Sequence, residues 1–174
     1  MANTYVLISS TVLSSGQNTV TFSSIPSTYT DLVVRCSVRT SNASNLDRLA
    51  ITINSDSNTN YSDTEITGTG SAASSGRTSN GIYSDDIYIN AANYTASTFS
   101  SVEIYIPNYT STSSRPFSVF STTENNGTTS YIRGSAQLYR GSSAISSLSF
   151  FPPSSGSTNF ITGSSFYLYG VKNS

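Results

Sequence analysis

Hydrophobic residues along this chain recur at every second position, in short runs separated by Ser, Thr, Asn and Gly. That is the period of a strand with one buried face. Tyr5–Leu13 opens the chain, and Ser15-Gly16-Gln17-Asn18 follows as a turn. Thr19-Val-Thr-Phe-Ser23 then sets Val20 and Phe22 against threonines. Ile25–Thr30 reads as a loop, since Pro26 cannot sit in a central strand. Asp31–Arg39 is the clearest strand, with Leu32, Val34, Cys36 and Val38 on one face. Arg48–Ile53 keeps Leu49, Ile51 and Ile53 in phase. Further strands are expected at 82–90, 101–106, 116–121, 129–133, 136–139, 144–150 and 165–170.

Between Asn54 and Asn80 the pattern fails, with apolar residues reduced essentially to Tyr61 and Ile66. This stretch reads as a long polar loop excursion with a short strand at Thr64–Thr67. Nowhere does a period of three to four persist over ten residues. Many short strands at spacings of about 8–12 residues predict an all-β fold. The expected architecture is a two-sheet antiparallel β-sandwich, jelly-roll-like, filling residues 1–174 as a single domain.

Composition changes that picture in one respect. Only 36% of the 174 residues are hydrophobic and only 10% are charged, against about 25% charged in typical domains. Disorder would demand high net charge and few aromatics; here the net charge is −1, with 12 Tyr and 8 Phe. Hydroxyls and amides occupy the surface that Lys and Glu usually fill. Such a surface favours association over mutual repulsion.

Charge also narrows the partners. The 8 basic and 9 acidic residues are scattered singly. No basic stripe offers counterion release to a nucleic acid, and no polybasic segment suits an anionic membrane. The N-terminus lacks the basic and apolar regions of a signal peptide, so the expectation is synthesis in a cytoplasm.

Catalytic means are few. With no histidine there is no Ser-His-Asp triad and no His-ligated metal. The single cysteine, Cys36, reads as a buried core residue. Carboxylate pairs remain, drawn from Asp56, Asp63, Glu65, Asp85, Asp86 and Glu103, but none lies in an apolar setting that would raise its pKa. The expectation is a chain without enzymatic activity and without a cofactor.

Three local patterns imitate binding motifs. Asn54, Asp56, Asn58, Asn60, Ser62 and Glu65 space oxygen ligands like a calcium loop. Asn stands first and Thr59 replaces the turn glycine, so a plain polar hairpin loop is the expectation and no metal is assigned. Gly68–Gly76 resembles a phosphate loop only in its glycines, for Arg77 rather than Lys follows it. Tyr61, Tyr94 and Tyr109, flanked by small polar residues, are candidates for stacking on a ligand such as a sugar, or for covering the ends of the sandwich. Five Asn-x-Ser/Thr sequons, at Asn42, Asn60, Asn93, Asn108 and Asn126, follow from composition.

Four segments carry a family resemblance. They are Phe22–Arg35, Asn60–Asp63, Phe99–Tyr109 and Ile161–Gly170. In order, and over nearly the whole chain, they resemble small proteins of tailed phages of marine and freshwater bacteria, cyanophages among them. The resemblance implies a virion component with a β-sandwich fold. It supplies no catalytic or binding positions. With one domain starting near Tyr5, docking would fall to the domain's own faces. The expected role is a capsid decoration (cement) protein or similar head or tail accessory piece on the virion exterior. Its expected partners are copies of itself, as a homotrimer, and other virion proteins such as the major capsid protein. The alternative is a receptor- or carbohydrate-binding tip of a fibre contacting host glycans.

Overall fold

The computed structural model describes residues 4–125, 130–154 and 157–172. Asn126, and Thr129 at the head of the strand expected over 129–133, lie outside the described residues. In chain order the strands are β1 (Tyr5–Val12), β2 (Val20–Phe22), β3 (Asp31–Val38), β4 (Leu46–Arg48) and β5 (Ala50–Ile53). They continue with β6 (Tyr61–Gly68), β7 (Ala73–Gly81), β8 (Tyr88–Asn90) and β9 (Ser100–Ile106). The last are β10 (Arg115–Thr123), β11 (Tyr131–Tyr139), β12 (Leu148–Phe151) and β13 (Ser165–Val171).

The protein is all-β, and every strand pairing is antiparallel. One eight-stranded sheet runs β1-β13-β3-β9-β10-β11-β6-β7. Opposite it lie a three-stranded sheet, β2-β12-β5, and a two-stranded one, β4-β8. This is a β-sandwich, as the alternation predicts. Eight strands against three and two is not the jelly-roll division of eight strands between two sheets.

Alternation decides which side chains meet in the middle. β9 reads buried-exposed without a break, placing Val102, Ile104 and Ile106 inward and Ser101, Glu103 and Tyr105 outward. Across the gap, Phe22 and Phe150 of the small sheet meet edge to face at 6.0 Å, and Phe150 lies 5.7 Å from Phe166 of β13. Phe160 closes the row at 5.1 Å from Phe166. Each such side chain contributes roughly 1.5–3 kcal/mol on burial, so this aromatic row is a principal seam between the layers. Cys36 sits in it, buried as expected, and burial pushes its thiol well above the usual range.

The stretch from 54 to 80 corrects the sequence reading. It is not a loop excursion over one end. Residues 61–81 form the hairpin β6–β7, which extends the large sheet by two strands. The turn is closed by Thr69 N–H donating to Ala72 O at 2.9 Å, with Gly70 at φ +83°. β7 escaped notice for a physical reason: as the outermost strand it has none of its residues buried, so it carries no hydrophobic alternation. β11 differs too: it runs unbroken from Tyr131 to Tyr139, through Gly134, where two strands were expected.

Candidate functional site

The three tyrosines first. Tyr61, Tyr94 and Tyr109 are 1%, 4% and 0% exposed. The Tyr61 hydroxyl accepts from Ile53 N–H at 2.9 Å and donates to Asp56 O at 3.1 Å. Its ring lies 5.1 Å from that of Tyr139. The Tyr109 hydroxyl donates to Pro26 O and accepts from Tyr29 N–H. The backbone carbonyl of Tyr94 accepts from Arg39. These rings have no open face, so of the two roles open to them the burial rules out stacking on a ligand and leaves that of covering the sandwich. Small polar flanks marked loops, but the phenol bodies turned inward, and the hydroxyls of Tyr61 and Tyr109 found backbone partners.

The calcium-like spacing also comes apart. Asn54 and Ser55 adopt left-handed backbone at φ 54° and 56°. Asn54 Oδ1 accepts from Ser146 N–H and Ser147 N–H, tying the turn to the 140s. Asp56 accepts from Asn58 N–H at 2.9 Å, from Asn60 Nδ2 at 2.8 Å and from the Tyr139 hydroxyl at 3.0 Å. Its oxygens therefore hold the loop. Glu65 lies on β6 and is bound elsewhere, to Arg133.

Glu65 belongs to a cluster the sequence did not assemble. Asp63 and Glu65 share the inner face of β6, and Arg133 comes from neighbouring β11. Asp86 comes from the segment that leads into β8 and covers this end of the sheet. Arg133 Nη2 lies 2.8 Å from Asp86 Oδ1 and 3.1 Å from Glu65 Oε1. Its guanidinium stacks on Tyr88, 4.1 Å from the ring centroid. Thr78 of β7 donates to Asp86 Oδ2 at 3.3 Å. Opposite Glu65 on β7 stands Gly76, where a Cβ would fall 2.0 Å from Glu65 Oε1. The missing side chain is what admits the carboxylate. Burial first, then the facing carboxylates of Asp86, Glu65 and Asp85, push the Asp63 carboxyl up to about 7.

Other cations are committed to structure. Arg39, buried, donates to the carbonyls of Ala92, Tyr94, Thr95 and Thr98, fastening the turn before β9. Arg115 and Arg140 hold loops by the carbonyls of Ser111, Gly141 and Thr59. Arg35 and Arg48 pair with Glu103 and Asp85 at 3.0 Å.

The two outer faces of the sandwich differ. On the small sheet, Thr21 and Ser149 face outward in register and share a hydrogen bond at 3.0 Å. On the large sheet, Ile66, Ile132 and Phe120 are 68%, 52% and 48% exposed. Gly134 stands in register between Ile66 and Phe120, and Gly68 opposite Ile132, so the glycines floor an apolar hollow. Tyr105, Pro107, Pro116 and Ala136 line a second hollow. The sequence shows Ile66 as an isolated apolar residue but does not bring it together with Phe120 and Ile132. The signal was present as Ile66 and Ile132 falling out of phase with the buried face of their strands.

The fold and surface define an antiparallel β-sandwich with an apolar hollow on one outer face. No family model, no curated protein and no solved structure matches the chain.

Proposed function

We propose that this chain is a non-enzymatic structural protein on the exterior of a tailed-phage virion, a capsid decoration protein or similar accessory piece. The observation that carries the reading is the apolar hollow on the outer face of the large sheet, around Phe120, Ile66 and Ile132. A soluble antiparallel sheet normally gives its outer face to water, and contiguous exposed apolar surface marks interaction sites. The small sheet obeys that rule with Thr21 and Ser149. The large sheet departs from it over strands β10, β11 and β6. Copies of the chain, and the capsid lattice beneath them, are the partners proposed for that face. The resemblance of Phe22–Arg35, Asn60–Asp63, Phe99–Tyr109 and Ile161–Gly170 supplies the phage context.

The chemistry of the chain supports a role without turnover. Histidine is absent from the sequence. Cys36 is buried, Asp56 is spent on its own loop, and Glu65 and Asp86 are paired with Arg133. Burial of Tyr61, Tyr94 and Tyr109 removes the support that those residues lent to a glycan-binding tip.

The test is direct. Purified particles are analysed for this chain by mass spectrometry, then labelled with antibody against it and imaged. Many symmetry-related copies over the head are expected. A few copies at the tail would favour the fibre tip, and absence from particles would end the proposal.

A further inference from the structure

We propose that Asp63, Glu65 and Asp86 form a binding site for one divalent cation of calcium size. Each offers a carboxylate oxygen, and these atoms lie within 4.8 Å of one another. Oxygens bound to one Ca²⁺ at about 2.3–2.6 Å stand at most roughly 5 Å apart, so the spacing fits a single ion.

The hydrogen bonding leaves ligand atoms over. Arg133 Nη2 takes Glu65 Oε1 and Asp86 Oδ1, and Thr78 takes Asp86 Oδ2. Asp63 Oδ1 and Glu65 Oε2 are buried with no partner, and Asp63 as a whole is 6% exposed. A buried carboxylate oxygen without a donor costs on the order of 1–3 kcal/mol or more, and two residues of this one cluster carry such an oxygen. Arg133 does not fill the need, for its own Nε is also unpartnered. Charge points the same way: three carboxylates against one guanidinium leave a formal −2 when all are ionised, the charge of one divalent ion.

Ligand type selects the metal. The set is all oxygen, with neither of the His and Cys donors on which zinc sites are typically built. Two carboxylates from β6 and one from the segment before β8, two of the three already steered by Arg133, form an irregular shell. Ca²⁺ accepts such shells, whereas Mg²⁺ demands a near-ideal octahedron. Entry is by the rim, where the Glu65 and Asp86 side chains remain 12% exposed. Binding would tie β6 to the segment carrying Asp86 and so pin the hairpin β6–β7 against the layer above it.

The experiment uses the full chain stripped with EDTA. Terbium is titrated with excitation through tyrosine, Tyr88 being stacked on Arg133 at the site, and melting is followed against CaCl₂. One saturable terbium site per chain, displaced by Ca²⁺, is expected. The melting temperature should rise by about 5 °C or more at a hundredfold excess over Kd. Asp63→Asn, isosteric and less charged, should weaken binding at least tenfold, as should Glu65→Gln; Glu103→Gln, on the outer face, should not. Absence of saturable terbium signal and of a calcium-dependent melting shift in the wild-type chain would overturn the proposal. So would unchanged affinity in both Asp63→Asn and Glu65→Gln.

Discussion

The inner face of the large sheet has two ends built on opposite principles. At one end β13, β3 and β9 present Phe166, Leu168, Leu32, Val34, Val102 and Ile104, all buried. At the other, β11 and β6 present Arg133, Ser135, Gln137, Asp63 and Thr67, also buried. The backbone ladder is the same at both ends; what differs is the layer above. The apolar end lies under the aromatic row of the small sheet, through Phe150. The polar end lies under the segment 82–87, which brings Ser84 to Gln137 at 2.8 Å and Asp86 to Arg133. Apolar contact is non-directional, so the first end tolerates changes of shape better than changes of volume. The second end is held by directional pairs, and losing one partner strands the other.

The comparison can be broken at its apolar end first. Phe166→Ala should cost about 4 kcal/mol, because Phe166 meets both Phe150 and Phe160 and the cavity it leaves cannot close. Denaturant titration checks this, and the loss should be equal at pH 5 and pH 8. At the polar end, Arg133→Met should cost about 3 kcal/mol by leaving Glu65 and Asp86 buried without a cation. Its loss should be larger at pH 8 than at pH 5, since Asp63, whose carboxyl burial pushes up to about 7, holds its proton at pH 5 and adds a further uncompensated charge at pH 8. Equal losses at both pH values would show that the ionic arrangement contributes nothing specific.

The polar end should also make the wild-type chain sensitive to pH. The Asp63 carboxyl is pushed up to about 7 in the fold, chiefly by burial, against about 3.9 when unfolded. The folded chain therefore holds the extra proton between about pH 4 and pH 7. With the unfolded state binding fewer protons there, stability falls as pH rises through that window, and the penalty is complete above pH 7. Denaturation in EDTA should show this decline. Asp63→Asn, which stays neutral, should flatten it. A wild-type profile flat from pH 4 to pH 8 would contradict the shift.

How much of this was readable beforehand follows from the same contrast. Strands of the apolar end announce themselves: Asp31–Val38, Ser100–Ile106 and Ser165–Val171 alternate or run apolar, and their bounds were placed within a residue or so. Strands of the polar end do not. β7 is solvated on both faces, and β6 carries Asp63, Glu65 and Thr67 on its inner face, so hydrophobic period could not distinguish them from loop. The carboxylates Asp63, Glu65 and Asp86 were visible as residue types, but their meeting depends on a pairing 47 residues long between Arg133 and Asp86. No local spacing encodes that. The tyrosines failed differently: Asn, Ser and Thr beside Tyr109 described the backbone correctly as a turn, whereas Tyr61 opens β6, and in both the ring direction was set by the packing beneath.

The outer faces extend the comparison and carry the smallest expected effect on stability. Phe120 is half exposed, beside Gly134 and in the same hollow as Ile66 and Ile132. Phe120→Ser removes no core contact, so unfolding free energy should change by only about 0.5 kcal/mol or less. Association should respond far more, because aromatic anchors at the centre of an interface carry a disproportionate share of binding. Sedimentation of the pure chain across concentration should show weaker assembly for Phe120→Ser. Thr21→Ser, which keeps the hydroxyl on the opposite face, should assemble like the wild type. If both variants assemble alike, the hollow around Gly134 is not where copies meet. If only Phe120→Ser is impaired, the asymmetry between the hydroxyl pair of the small sheet and the apolar hollow of the large one is an asymmetry of function, with one face for solvent and the other for a second copy.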